Sequence, residues 1–487
     1  MKLKPVVLGG AALAGAAAVI AKRRAATPAE TIDTSRTSRT IELAKLGTST
    51  GASYAKMTAK SVGATDERKA ELRSEFELQT AEQTVERLGN MKGALMKIGQ
   101  MASYLDQGLP EPVRQMLAEL QTNAPPMSTE LVYKTIESQL GSPPNILFRT
   151  FDDTPLASAS IGQVHRAVTQ DGRHVAVKVQ YPGVDKAIAS DLENSDVLLN
   201  AMGYLFPGLE PGPIVAELRD RLSEELDYQA EAAHQSNFAD YYAGHPTIYV
   251  PRVLPEFTSR RILTSEYAHG ASWQELLTWS QDEQNLAAET MYRYAFGGIY
   301  RLGAFNGDPH PGNYVFQPGG KVAFLDYGLC KVFTPDEVKS FERMIQAMVF
   351  DEDPTAIRKV LTDVGVLKDN VDLSDDDINS YFRHFFEQVL TKGTTTMTPE
   401  YASESIRRFF AVNGPHASVL KSVTLPSFMV VIQRINLGLF ALFGELHATG
   451  NWRAIAEEIW PFVDGPPSTA AGQLIRQWEI TRGHRSA

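Results

Sequence analysis

Between residues 306 and 328 the chain reads Asn306-Gly307-Asp308-Pro309-His310-Pro311-Gly312-Asn313 and, after a short gap, Lys321-Val322-Ala323-Phe324-Leu325-Asp326-Tyr327-Gly328. No other stretch constrains the fold as tightly. Two prolines and two glycines in the octet exclude a helix and suit a rigid loop. The second segment is a short apolar strand that ends in a turn. A loop and a hairpin separate Asp308 from Asp326, enough chain to bring both carboxylates and the Asn313 amide to one point. Taken alone, the octet also reads as a proline-rich turn with an incidental Asp and Asn.

An Asp followed five residues later by an Asn is the spacing of a kinase catalytic loop. That chemistry needs a carboxylate to orient an attacking hydroxyl and an amide oxygen to help hold Mg²⁺ on phosphates. Asp326-Tyr327-Gly328 is a conservative version of the Asp-Phe-Gly metal-binding turn. Upstream, Val175-Ala176-Val177-Lys178-Val179-Gln180 sets a lysine among valines, where burial without a partner is costly. Alternation puts Val175, Val177 and Val179 on one strand face and Lys178 on the other. A kinase uses such a lysine on the α/β-phosphates; the solvent face of an edge strand is the plainer reading. Ser223 to Glu231 is rich in acids, one of which should pair with Lys178. A solvated acidic helix face is the alternative. There is no G-x-x-x-x-G-K-[ST], so a P-loop is unsupported. Where a Gly-rich loop would precede the lysine strand stands Ala157-Ser158-Ala159-Ser160-Ile161-Gly162-Gln163-Val164. Alanines keep close approach but restrict the backbone that glycines free.

Six segments, in this order, carry a resemblance to the UbiB/ADCK family of atypical protein-kinase-like proteins. They are Lys97-Ile98-Gly99-Gln100, which looks like that family's KxGQ motif; the Ala-rich loop Ala157 to Ser160; Lys178 with the Val-Gln-Tyr-Pro-Gly that follows it; Glu225-Leu226-Asp227, like its ExD motif; Asp308 to Asn313; and Asp326-Tyr327-Gly328. Ser158 within the Ala-rich loop and Tyr327 in place of the commoner Phe are small departures. The resemblance implies an α+β, two-lobed protein-kinase-like fold with a small β-rich N-lobe and a large helical C-lobe. An added N-terminal helical extension carrying KxGQ would fold over the active site. The resemblance further implies that Asp308 is the catalytic aspartate, that Lys178 binds phosphates and pairs with Glu231, and that Asn313 and Asp326 hold Mg²⁺. Lys97 would enter the nucleotide pocket and face Glu225, and Glu266 to Ala268 would be the hinge that receives adenine. ATP or ADP and Mg²⁺ are the implied cofactors. The family's association with membranes and isoprenoid-lipid or quinone pathways implies ATP hydrolysis or phosphoryl transfer coupled to such a molecule, and Lys22-Arg23-Arg24 after the apolar N-terminal run slightly favour a cytoplasmic C-terminal side. Two further readings stand beside this one. The octet also resembles the loop of aminoglycoside and choline kinases, which suggests a small-molecule phosphotransferase. A nucleotide-gated pseudo-kinase scaffold is the other, although every catalytic position is filled.

Pro5 to Ala21 is an uncharged apolar run flanked by Lys2, Lys4 and Lys22-Arg23-Arg24. It is near the lower limit of about 17 residues for a bilayer-spanning helix. A single N-terminal membrane anchor, a cleaved signal peptide and a helix packed on protein all fit it. The segments read as an anchor or targeting piece over 1–24, a polar tether over 25–81, and the KxGQ extension over 82–125. An N-lobe over 126–266, a helical C-lobe over 267–465 and a frayed tail over 466–487 follow. Val85, Leu88, Met91, Leu95, Ile98, Met101 (or Ala102) and Leu105 recur at helical spacing. Ser128 should cap a helix running to Gly141. Phe148 to Gln180 reads as strands with a hairpin turn at Thr169 to Gly172. Residues 186–205 and 214–240 read as helices, and Ile248 to Tyr267 as two strands broken by Pro255. Beyond Gly270 the chain reads as mostly helical except for Tyr314 to Asp326. Leu425 to Phe443 fits a buried helix of the large lobe better than a lipid-binding surface. Ser374-Asp375-Asp376-Asp377 looks like a helix cap and first turn, not a calcium loop.

Composition settles a few classes. Of 487 residues, 47 are basic and 58 acidic, a net charge of −11 that argues against a generally basic nucleic-acid binder. The single cysteine, Cys330, excludes an intrachain disulfide and a Cys-rich zinc site and reads as a small buried residue.

Overall fold

The structure, a computed structural model, describes residues 127–159, 161–184, 226–410, 416–424 and 426–484. The apolar N-terminal run, the tether, the KxGQ segment with Lys97, the expected helix 186–205, Ser160 and Glu225 lie outside the described residues.

Helix α1 (Thr129–Leu140) opens where Ser128 caps it, the Ser128 Oγ accepting from Leu131 N, and stops at Gly141 in the left-handed region. Strands β1 (Phe148–Phe151), β2 (Ala157–Ala159), β3 (Gly162–Thr169) and β4 (His174–Gln180) follow. The Thr169–Gly172 turn closes the β3–β4 hairpin as its sequence requires. Thr169 O accepts from Gly172 N, and Gly172 takes φ 91°, a conformation cheap only for glycine. Helix α2 (Tyr228–Tyr241), strand β5 (Ile248–Tyr249) and strand β6 (Ile262–Glu266) complete this part of the chain. The small sheet is antiparallel, in the order β1-β3-β4-β6 with β2 on β3. Val175, Val177 and Val179 are each 0% exposed and pack in one cluster with Val132 and Ile136 of α1, while Lys178 faces the other way. Alternation along β4 therefore divides core from cleft, as read from sequence.

The reading of 214–240 as one helix needs correction. Asp227 is extended (φ −112°), and its side chain accepts from Gln229 N and Ala230 N. It is an N-cap, so α2 begins at Tyr228. An acidic N-cap satisfies donors that no helical carbonyl reaches, and it interrupts any helix arriving from upstream. Pro255 does separate two strands, but they belong to different sheets. β6 joins β4, whereas β5 pairs parallel with residues 322–323 of the large lobe.

The large lobe is built on α3 (Gln281–Leu302), capped by Ser280 and ended by Gly303 in the left-handed region. Strands β7 (Ala304–Asn306), β8 (Tyr314–Gln317), β9 (Lys321–Phe324) and β10 (Cys330–Val332) come next; β8 and β9 form a hairpin and β10 pairs with β7. Helices α4 (Pro335–Ile345), α5 (Pro354–Asp363), α6 (Asp375–Arg383), α7 (Pro399–Phe410), α8 (Ser427–Glu445) and α9 (Trp452–Ile459) fill the rest. Ser374 is the N-cap of α6, with Asp375 to Asp377 in its first turn. Cys330 is half-buried rather than buried, because β10 lies at the edge of a two-stranded ribbon. In α8, Ile435, Leu439 and Phe443 recur every four residues and are buried, Phe443 stacking on Trp452. The described apolar residues of this run thus belong to the core. No helix among the described residues is long and apolar enough to cross a membrane.

The expected frayed tail is overturned. Residues 470–482 form helix α10 (Ala470–Arg482), capped by Thr469 and ended by Gly483 at φ 72°. It is docked, not loose: Glu479 is buried against Arg301 of α3 (3.1 Å), and Trp478 Nε1 donates to Ala243 O (3.1 Å). Beside it, His245 Nδ1 accepts from Thr247 N and Ile248 N. Burial first, then the Arg293 charge, depress the His245 pKa to about 3. Its folded pKa lies below the unfolded value near 6.5, so the stability it contributes is complete above about 6.5 and is lost as pH falls toward 3. Acid titration of unfolding free energy should show this, with the slope reduced by about one proton in His245→Gln. An unchanged slope would remove His245 as the cause.

Candidate active site

The two lobes enclose a cleft of about 660 Å³ whose walls include Ala157, Lys178, Glu231, Ala268, Asp308 and Asp326. β4 delivers Lys178 from the small lobe, and α2 delivers Glu231 in its first turn. Lys178 Nζ donates to both Glu231 oxygens (2.9 and 3.0 Å) and lies 3.4 Å from Asp326 Oδ2. The Tyr228 ring sits 5.1 Å from the same ammonium. Burial alone would lower the Lys178 pKa, but the Asp326 and Glu231 charges outweigh it and raise it well above the ordinary value. Glu231, 4% exposed, is pushed up to about 7 by burial against the pull of Lys178. Removing one partner of a pair this buried would strand the other, at about 3–5 kcal/mol.

The 306–328 segment folds back on itself as its spacing allows. Asn313 Nδ2 donates to Asp308 O (3.1 Å), and Leu325 N donates to Asn313 O (3.0 Å). Asn306 Nδ2 donates to Asp326 O. His310 Nδ1 accepts from Gly312 N, which shapes the turn Pro311–Asn313. The β8–β9 hairpin, turned by Gly319 and Gly320 at positive φ, returns the chain to this loop. Asp326 Oδ1 accepts from Gly328 N (2.9 Å). Tyr327 is fully buried, and its hydroxyl bonds to the Tyr294 hydroxyl at 2.9 Å. The departure from Phe is therefore accommodated by a second tyrosine.

Ala157, Ser158 and Ala159 pair with Val164, Gln163 and Gly162, so the Ala-rich segment is a β2–β3 hairpin beside the cleft. Glu266, with Tyr267 and Ala268, lines the cleft where β6 passes to the large lobe. The Glu266 carboxylate accepts from Tyr249 Oη and Arg252 N, and its backbone N–H donates to Arg252 O. Of the residues singled out from sequence, Lys178, Glu231, Glu266, Ala268, Asp308, Asn313, Asp326 and Ala157 border one cleft. Lys97, Glu225 and Ser160 lie outside the described residues. Sequence reasoning missed Tyr228, whose only local signal is an aromatic directly after Asp227, and the Tyr294–Tyr327 pair.

Comparison with known proteins points to the same fold. Residues 119–361 match the ABC1 atypical kinase-like domain. The chain is 32% identical over 342 residues to "Probable serine/threonine-protein kinase abkA" of Dictyostelium discoideum, covering 65% of this chain and 60% of that protein. It is 31% identical over 320 residues to "Atypical kinase COQ8, mitochondrial" of Saccharomyces cerevisiae, covering 64% and 63%. The chain thus spans less than two thirds of either relative's length. Among solved structures it is similar to Rv3197 of Mycobacterium tuberculosis in complex with erythromycin, at a TM-score of 0.59 and 28% identity, covering 82% of this chain and 100% of that one. With a β-sheet small lobe, a helical large lobe and this match, the chain belongs to the ABC1 atypical kinase-like family, also called UbiB/ADCK.

Proposed function

We propose that this protein binds Mg-ATP in the cleft and hydrolyses it, or transfers its phosphoryl group, in service of a membrane lipid or quinone-type molecule. The observation that carries the reading is Lys178 held at once by Glu231 and near Asp326, across two lobes. Lys178 presents its ammonium to phosphate, and Glu231 keeps it from swinging away. Asp326, Asp308 and the Asn313 amide supply oxygen donors of the kind a hard cation takes. The Asn313 amide nitrogen is engaged by Asp308 O, which leaves its oxygen as the free acceptor. No group of three or more His, Cys, Asp or Glu among the described residues forms a cage. That suits Mg²⁺, which is held by one or two carboxylates together with substrate phosphates. Bound Mg²⁺ would neutralise phosphate charge. Asp308 orients the attacking hydroxyl or water. Glu266 to Ala268 offer backbone groups to adenine. Lys97 and Glu225 are assigned to the nucleotide pocket, and residues 82–125 to its cover, on the motif resemblance alone. The lipid link rests on relatives named for COQ8 and called mitochondrial, and residues 1–24 are proposed to hold the protein at a membrane.

The macrolide bound by the similar Rv3197 structure favours one second reading, a small-molecule phosphotransferase. One experiment separates the two. Phosphate release from Mg-ATP by the full chain is followed with and without vesicles of anionic phospholipid containing a polyprenyl quinone. Release that rises with vesicles supports the lipid-coupled ATPase. A stoichiometric phosphorylated small molecule supports the second reading. Tight nucleotide binding with no turnover under any condition would sink both and leave a scaffold.

A further inference from the structure

The far end of α2 is held by a helix that the cleft chemistry never touches. α2 has no basic residue in its last turn, and its final carbonyls need donors. α10 braces that end: Arg482 Nη2 donates to Asp240 O in the last turn of α2 and Trp478 Nε1 to Ala243 O just past it, each at 3.1 Å. The Trp478 ring packs edge-on against Tyr241 at 5.8 Å and stacks with Tyr242 at 6.4 Å, while His484 stacks on Tyr241 at 4.5 Å. α10 is itself rooted in the large lobe. Arg301 of α3 pairs with Glu479, and the Thr469 cap bonds to Glu458, which also holds Arg293 of α3 at 2.6 Å. The near end of α2 belongs to the small lobe, through Tyr228 N to Arg260 O and Glu231 to Lys178. In the last turn of α2 Phe238 rests on Tyr294 and Tyr327, a fulcrum and not a clamp.

Glu231 lies about 10 Å along α2 from Phe238, so a tilt of about 10° about that contact moves it by roughly 2 Å. That displacement would carry Glu231 out of hydrogen-bond reach of Lys178, now at 2.9 and 3.0 Å. We propose that α10 is a strut that fixes the tilt of α2, so that Glu231 meets Lys178, with Trp478 and Arg482 as positioning residues. The proposal rests on the reading of the cleft as a nucleotide site only where turnover is the readout.

The test uses the full chain carrying Trp478→Ala, Arg482→Ala or both, each made also with Glu231→Gln. Hydrogen exchange of residues 228–241 should quicken by about tenfold or more in the double variant while α3 stays protected. Mg-ATP turnover should fall about tenfold. That fall should vanish in the Glu231→Gln background, because the strut then has nothing to position. Unchanged exchange in α2, or an equal fall in both backgrounds, would overturn the proposal. Should Trp478→Ala lose the large-lobe fold, Arg482→Ala, a surface change, carries the same comparison. A wild-type chain without turnover counts against the functional reading alone, and exchange then decides the strut by itself.

Discussion

Asp326→Asn should abolish Mg²⁺-dependent nucleotide binding while leaving the protein folded. The two side chains have the same shape, and an Asn oxygen still accepts from Gly328 N, the bond that holds the turn. What disappears is the charge. Lys178 then keeps Glu231 alone, and the cation donors lose one of two carboxylates. We expect affinity for Mg-ATP to drop by at least about 100-fold, which is about 2.7 kcal/mol. Titration calorimetry with ATP in Mg²⁺ and in EDTA reads the effect directly. The wild type should lose affinity on chelation and the variant should not, because its loss has already occurred. Lys178→Ala differs in kind, weakening binding with or without the metal. Equal Mg²⁺-dependent affinity in wild type and Asp326→Asn would place the metal elsewhere.

Gly162→Ala should damage both stability and the cleft. Gly162 opens β3 opposite Gln180 and closes the Ala-rich hairpin at Ala159. A methyl there would stand 2.3 Å from Val179 O and 3.0 Å from Tyr228 Oη. The nearer neighbour is the backbone of the lysine strand and cannot move aside without moving Lys178. Space alone sets the cost, since Gly162 is not among the positive-φ glycines. Overpacking of this kind costs about 1–3 kcal/mol. Chemical denaturation should show that loss, together with weakened nucleotide binding. A hairpin able to absorb the methyl would appear as unchanged stability and would remove Gly162 from the list of shape-determining residues. Gly141 is the contrast: its Cβ would meet open space, but its φ of +78° makes any side chain strained.

Much of the cleft was legible because its signals are local. Pro309, Pro311 and Gly312 allow few backbones, and the valines of β4 alternate with Lys178 in a pattern that only a half-buried strand produces. Ser128 and Ser374 announce helix starts through their own side chains. The pairing of Lys178 with Glu231 was an implication of motif order, and it became a distance only when α2 was set against β4. Asp227 shows how a local signal is misread. It sits in an acidic run that suggests a continuing helix face, yet its extended backbone makes it the cap of α2.

α10 shows where sequence reasoning stops. Trp478 bonds to Ala243, Glu479 to Arg301 and Arg482 to Asp240. Each partner lies in a distant part of the chain, so no window around residue 478 contains the reason the helix is ordered. The same holds for β5, whose parallel partner β9 is in the other lobe, and for the Tyr294–Tyr327 hydroxyl pair. From the sequence alone came the order of the chemical groups and the local shapes that carry them, because short-range sterics and capping decide both. Which strand closes which sheet, which helix end is braced and which charges share one buried lysine were decided only by tertiary packing, where burial makes distant residues pay or gain for meeting.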